Sequence, residues 1–124
     1  MKVDIRIDKP HLNKEKFKEI LLYILIKAGS RPNIGEGAIC KLLYFIDFDY
    51  FERYEEQLTG IKYIKKNNYP KPVEFKAVVE EMIAKEEIAR IKSKYFKNFQ
   101  TKYLAIREPD LLKLKNAREL SHID

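Results

Sequence analysis

The stretch KLLYFIDFDYFERY, residues 41–54, constrains this chain more than any other. It has the length and residue types of a helix, and the helix predicted around it covers 36–57. At 100° per residue, Ile39, Leu42, Leu43, Ile46 and Tyr50 form one stripe along it. Cys40, Tyr44, Phe48 and Phe51 form a second stripe on the other side, with Asp47 at its edge. A helix apolar on most sides belongs in the middle of a domain. The first stripe is expected to pack on a preceding helix. The second needs a partner of its own, either within this chain or outside it.

The neighbouring segments supply candidates for that packing. A helix is predicted over 14–28, with Asn13 as N-cap, Phe17, Ile20, Leu21, Ile24 and Leu25 at helical spacing, and Gly29 as its stop. Arg31-Pro32 breaks the chain, and Asn33 with Glu36 reads as a variant capping box. Leu58-Thr59-Gly60 ends the second helix. IKYIKK, 61–66, reads as a short strand, and NNYPKP, 67–72, as a loop whose prolines exclude helix and ladder donors. A third helix over 73–86 carries the stripe Phe75, Val78, Val79, Met82 and Ile83. Residues 88–106 alternate as a β-hairpin turning at Lys97-Asn98. A fourth helix is predicted over 110–120. With 124 residues, 45% of them hydrophobic, one domain spanning 1–124 has enough apolar material for a real core. The expected class is α+β, mainly helical: about four helices, a short strand and a hairpin. Their order also permits a winged helix, with 73–86 as reader and 88–106 as wing.

Charge is unevenly placed. The net charge is +6, from 25 basic and 19 acidic residues. Segment 88–107 holds six of the basic residues (Arg90, Lys92, Lys94, Lys97, Lys102 and Arg107) and no acid, so the rest of the chain is neutral. Cations interleaved with Tyr95, Phe96, Phe99 and Tyr103 suit phosphates and bases. They equally suit the protected, soluble edge of a two-stranded ribbon. Nucleic-acid contact by Arg90, Lys92, Lys94, Lys97 and Lys102 therefore stands as one of two readings.

The sequence offers little chemistry. His11, His122 and the single Cys40 have no metal-ligand spacing, and Cys40 lacks a helper histidine. Gly29, Gly35 and Gly37 match no phosphate loop. Glu80-Glu81 and Glu86-Glu87 read as a solvated face. Neither an enzyme nor a cofactor is expected. The start MKVDIRIDKP has no signal-peptide pattern, ILLYILI at 20–26 is too short to span a bilayer, and one cysteine fits a reducing compartment. The expectation is a cytoplasmic protein. Lys41, Tyr44 and Asp47, spaced by three, share one side of their helix. They form either an internal polar network, with Lys41 reaching toward Asp47, or a recognition face for a partner protein.

These same residues carry a family resemblance. Lys41-Leu42-Leu43-Tyr44 with Asp47, then Thr59-Gly60 and Tyr63, then Tyr69, Pro70, Pro72 and Val73, resembles the signature of the Panacea domain, the SocA-like antitoxin family. The resemblance covers roughly 17–86, with 110–120 as a continuation. It departs in the loop, where the family's Tyr-Gly-Pro-Val has become Tyr69-Pro70-Lys71-Pro72-Val73, without glycine. The resemblance implies an antitoxin that binds and blocks a toxin, encoded by an adjacent gene, or that presents a client to a protease. It implies surface complementarity and no cofactor. On this reading Lys41, Tyr44, Asp47, Phe48, Phe51, Thr59, Gly60 and Tyr63 form the partner-binding site. A leftover exposed aromatic face would also favour a homodimer.

Overall fold

The computed structural model describes residues 12–28, 34–66, 68–95 and 98–110. In chain order these form α1 (Lys14–Ala28), α2 (Glu36–Tyr54), β1 (Tyr63–Lys66), β2 (Tyr69–Pro72), α3 (Phe75–Ala84), β3 (Ile88–Tyr95) and β4 (Asn98–Ala105). The class is α+β, with three helices and two antiparallel two-stranded sheets among the described residues. The count of four helices is therefore not met: the one expected over 110–120 lies outside the described residues, as do Gly29, Arg31-Pro32, Asn33 and Lys97.

The enclosed helix is α1, not α2. Phe17, Ile20, Leu21 and Ile24 are buried on one side of α1, and Leu22, Glu19 and Lys16 on the others. It packs against α2, α3 and β4. Its start is capped as expected: the Lys16 N–H donates to Asn13 Oδ1 at 3.1 Å, in the usual N-cap geometry. Burial of α1 on more than one side includes Glu19, which is 4% exposed. A carboxylate so placed needs a cation and full hydrogen bonding. Arg107, just beyond β4, supplies both, with Nη1 and Nη2 forking onto Glu19 Oε1 and Oε2 at 2.9 and 2.8 Å. Arg107 Nε donates to Glu87 Oε2 at 3.0 Å, and the Asp110 N–H reaches Glu19 Oε1 at 2.6 Å.

The α2 helix buries Ile39, Cys40, Leu43 and Tyr50 and leaves its opposite side open. It ends at Tyr54, earlier than expected, where Glu55 turns left-handed (φ 57°) and donates its N–H to Phe51 O at 2.8 Å. Among the described residues Gly35 holds the N-cap position without a side-chain cap, and Asn33 of the expected capping box lies outside them. The Glu36 carboxylate is instead drawn to other elements, described below.

The segment expected as a loop, 69–72, is strand β2. Its register pairs Tyr63 with Pro72, Ile64 with Lys71, Lys65 with Pro70 and Lys66 with Tyr69. The Val73 N–H donates to Lys62 O at 2.8 Å, so the odd-numbered residues from 69 to 73 supply the ladder donors. The prolines fall on the alternate positions, where an antiparallel pair asks for no N–H. Two prolines two apart are thus compatible with an edge strand.

In α3, Phe75, Val78, Val79 and Met82 face the core. Its acids are ion-paired rather than simply solvated. Glu80 meets Arg90 at 2.5 Å, and Glu81 is held by Lys18, by Lys14 and by Lys85. The Lys18 hydrogen bond, then its charge, takes the Glu81 carboxyl down to about 2. This also undercuts the winged-helix arrangement. The exposed side of α3, which would read DNA, carries Glu80 beside Lys76, with Glu74, Lys85 and Glu86 flanking its ends. The hairpin β3–β4 lies with β3 against α3 and β4 against α1, burying Ile88 and Tyr103.

Replacing Arg107 by Gln should lower the unfolding free energy by about 2 kcal/mol, because Glu19 loses a charged partner while staying buried. Urea unfolding followed by circular dichroism measures this.

Candidate partner-binding face

Asp47 lies on the flank of α2 between the buried and open sides. Thr59 Oγ1 donates to it, 2.8 Å from each carboxylate oxygen, and Tyr63 Oη donates to Oδ2 at 2.5 Å. Thr59 is 1% exposed. Its Oγ1 also accepts the Ile61 N–H at 3.2 Å, and its carbonyl accepts the Asn13 N–H at 2.7 Å. Gly60, at φ 76°, makes the turn between them in a conformation that side chains resist. Asp47 therefore pins the segment 59–63 to α2, and the same segment touches the start of α1. Burial, then the charge of Asp47, then its hydrogen bond, pushes the Tyr63 hydroxyl far above the ordinary tyrosine value. Lys41 is exposed and does not span to Asp47.

Above this clasp sits an aromatic surface. The Tyr44 ring meets Tyr63 edge-on, with centroids 5.1 Å apart and planes at 87°. It lies nearly parallel to Phe48 at 5.9 Å. Tyr44, Phe48 and Phe51 remain 39%, 47% and 43% exposed. Phe45, which the predicted set leaves out, is 68% exposed on the same arc. Its position at four residues before Asp49 gave no stripe to mark it. Tyr44 stands between two hollows. One, of about 160 Å³, is bounded by Asp47, Phe48, Phe51, Gln57, Ile61 and Tyr63. The other, of about 340 Å³, lies against Ile64, Lys65, Asn68, Tyr69 and Pro70 of the β1–β2 hairpin. Of the second stripe, Cys40 alone is fully buried.

A sequence-family model described as Antitoxin SocA-like, Panacea domain, matches residues 39–122. The chain belongs to this family. The match contains every signature residue from Lys41 to Val73. It differs from the expected span in reaching through the β3–β4 hairpin and in leaving out α1. No match is found among curated proteins or solved structures. No described helix of this Panacea domain is long and apolar enough to cross a membrane.

A second polar cluster in the Panacea domain escaped sequence reasoning. Glu36 Oε1 accepts from Tyr103 Oη at 2.8 Å. Glu36 Oε2 meets Lys71 Nζ at 2.8 Å and accepts from Tyr69 Oη at 3.3 Å. Burial raises the Glu36 carboxyl. The Lys71, Tyr103 and Tyr69 hydrogen bonds and the Lys71 charge outweigh it, so the net shift is downward. Burial and then the charge of Glu36 push Tyr69 up to about 12, and Tyr103 is also well raised, by burial and then by its bond to Glu36. At Gly37 a Cβ would lie 3.3 Å from the Tyr69 ring, so glycine permits β2 to sit close on α2. Nothing local marked this cluster, because Glu36 and Tyr103 are 67 positions apart.

The basic hairpin spends much of its charge internally. Arg90 pairs with Glu80 and lies over the Tyr103 ring at 5.8 Å. Lys102 is 6% exposed. Lys92 and Lys94 are exposed. Cys40 is fully buried, and burial, followed by the charge of Glu36, pushes its thiol up to about 12. It is protonated at neutral pH and is no nucleophile there. His11 and His122 lie outside the described residues.

Tyr63, Tyr69 and Tyr103 all hold their protons more tightly folded than unfolded. Their stabilisation is complete below the ordinary tyrosine value of 10. It is lost as pH rises above that value, where only the unfolded chain releases the protons. Unfolding free energy should therefore fall from about pH 10 upward. Tyr63→Phe should cost about 1 kcal/mol at neutral pH and flatten part of that fall. Urea titrations at neutral and alkaline pH measure both.

Proposed function

We propose that this Panacea domain is an antitoxin-like protein-interaction module that binds and neutralises a partner toxin through the open side of α2. The carrying observation is that Tyr44, Phe45, Phe48 and Phe51 stay exposed on one helix arc, whereas Phe17, Tyr50 and Phe75 are fully buried in the core. Adjacent exposed aromatics are what a binding surface uses, because rigid rings bury much area for little lost freedom. Lys41 and the hollow beside Tyr44 would complete the surface. Thr59, Gly60 and Tyr63 act from below, by holding Asp47 and the Tyr44 ring in place. The partner is a protein encoded by the adjacent gene, bound by surface complementarity without a cofactor. The hairpin gains no comparable support as a nucleic-acid surface, since Arg90 is ion-paired and Lys102 is buried.

Tyr44→Ala and Phe48→Ala should each weaken the complex with the neighbouring gene's product by about 2 kcal/mol, roughly 30-fold. The melting temperature should barely change, because both side chains are exposed. Calorimetric titration of the co-expressed partner, read beside rescue of growth, measures the effect. Unchanged affinity in both variants would remove α2 from the interface.

A further inference from the structure

The β1–β2 sheet has one edge built to accept another strand. The Pro70 and Pro72 positions settle which backbone groups point where. Since the backbone N–H groups of Tyr69, Lys71 and Val73 face β1, their ladder partners are Lys66 and Ile64 of β1 and Lys62 just before it. Tyr63 and Lys65 therefore aim their N–H and C=O groups away from β2. Among the described residues no strand pairs with β1 on that side. The opposite edge, beyond β2, has prolines at those outward positions and offers no donor there. The sheet can thus be extended on the β1 side and not on the other.

The side chains on β1 narrow what could add. Lys62, Lys65 and Lys66 are exposed and, among the described residues, take part in no ion pair. Ile64 stands between Lys62 and Lys66 at 53% exposure. A second copy of β1 laid along this edge would set lysine against lysine, which is unfavourable across a ladder. An acidic strand would meet complementary charge. The face of β1 bearing Tyr63 and Lys65 borders the hollow of about 340 Å³ beside Tyr44, which suits an apolar side chain.

We infer that β1 receives an extended, acidic segment of the partner protein as a third, edge-added strand. Its acidic side chains lie along Lys62 and Lys66, and its apolar ones enter the Tyr44 hollow. This deepens the partner reading of the α2 face and rests on it. Backbone pairing would supply affinity, and the lysines and the hollow selectivity.

The test uses a short, end-capped, fluorescein-labelled peptide of alternating Glu and Val, the matching Lys/Val peptide, and a Glu/Val peptide N-methylated at alternate residues. Binding to the whole chain is read by fluorescence anisotropy. The Glu/Val peptide should bind at least about tenfold more tightly than either of the others, and more weakly as salt rises. Lys65→Pro removes an outward donor at a position facing Pro70, so it should leave the β1–β2 ladder intact and weaken Glu/Val binding about tenfold. Lys62→Glu with Lys66→Glu, both on the surface, should invert the preference toward Lys/Val. Equal binding of the two charge types, or undiminished binding of the methylated peptide, would overturn the inference. The peptides are read without the toxin, so the two readings fail separately. Peptide capture with unchanged toxin affinity in Tyr44→Ala and Phe48→Ala defeats the α2 face alone. Loss of toxin in those variants without Glu/Val selectivity defeats the edge strand alone.

Discussion

Enclosure of α1 organises this domain. A helix buried on several sides, against α2, α3 and β4, carries polar residues such as Glu19 inward as well. The fork of Arg107 satisfies that carboxylate. A buried carboxylate facing a half-exposed guanidinium adds little net stability beyond an apolar pair, but removing one partner strands the other. The clasp therefore ties the end of β4 to the middle of α1, and through Glu87 to the end of α3. Everything else is arranged outside that bundle, which is why α2 can keep one side uncovered.

The family signature divides into two jobs on α2 and the segment after it. Asp47, Thr59, Gly60 and Tyr63 form an inward polar clasp whose members are mutually satisfied. Tyr44 rests on that clasp through Tyr63, and with Phe48 and Phe51 it faces outward. The same short motif can thus be a mark of the fold and a support for a surface. The difference lies in which atoms it turns toward solvent.

Hydrophobic periodicity made the three described helices legible, because spacing by three and four needs only neighbours in sequence. Which helix would be central was not legible. Nothing in the local pattern marks Glu19 or Lys16 as buried, and only the distant Arg107 shows why Glu19 is. Prolines at 70 and 72 signal a loop, whereas their spacing by two is what an edge strand tolerates. Asp47 was recognised as part of a motif, but its partners were not. Lys41 is nearer in sequence than Thr59 or Tyr63, yet the chain folds back to bring the hydroxyls closer. Local pattern gives Glu36 a capping role, whereas its carboxylate joins residues from β2 and β4. Contacts of that separation leave no trace in local pattern.

Glu36 has a mechanical consequence. Tyr69 and Lys71 belong to one two-stranded sheet and Tyr103 to the other. A lone two-stranded sheet is barely stable in water. Here both are moored to a single carboxylate on the first turn of α2. Loss of the Glu36 carboxylate would remove a polar anchor from both hairpins at once. The two sheets share no strand, yet one side chain fastens both to the same turn of α2.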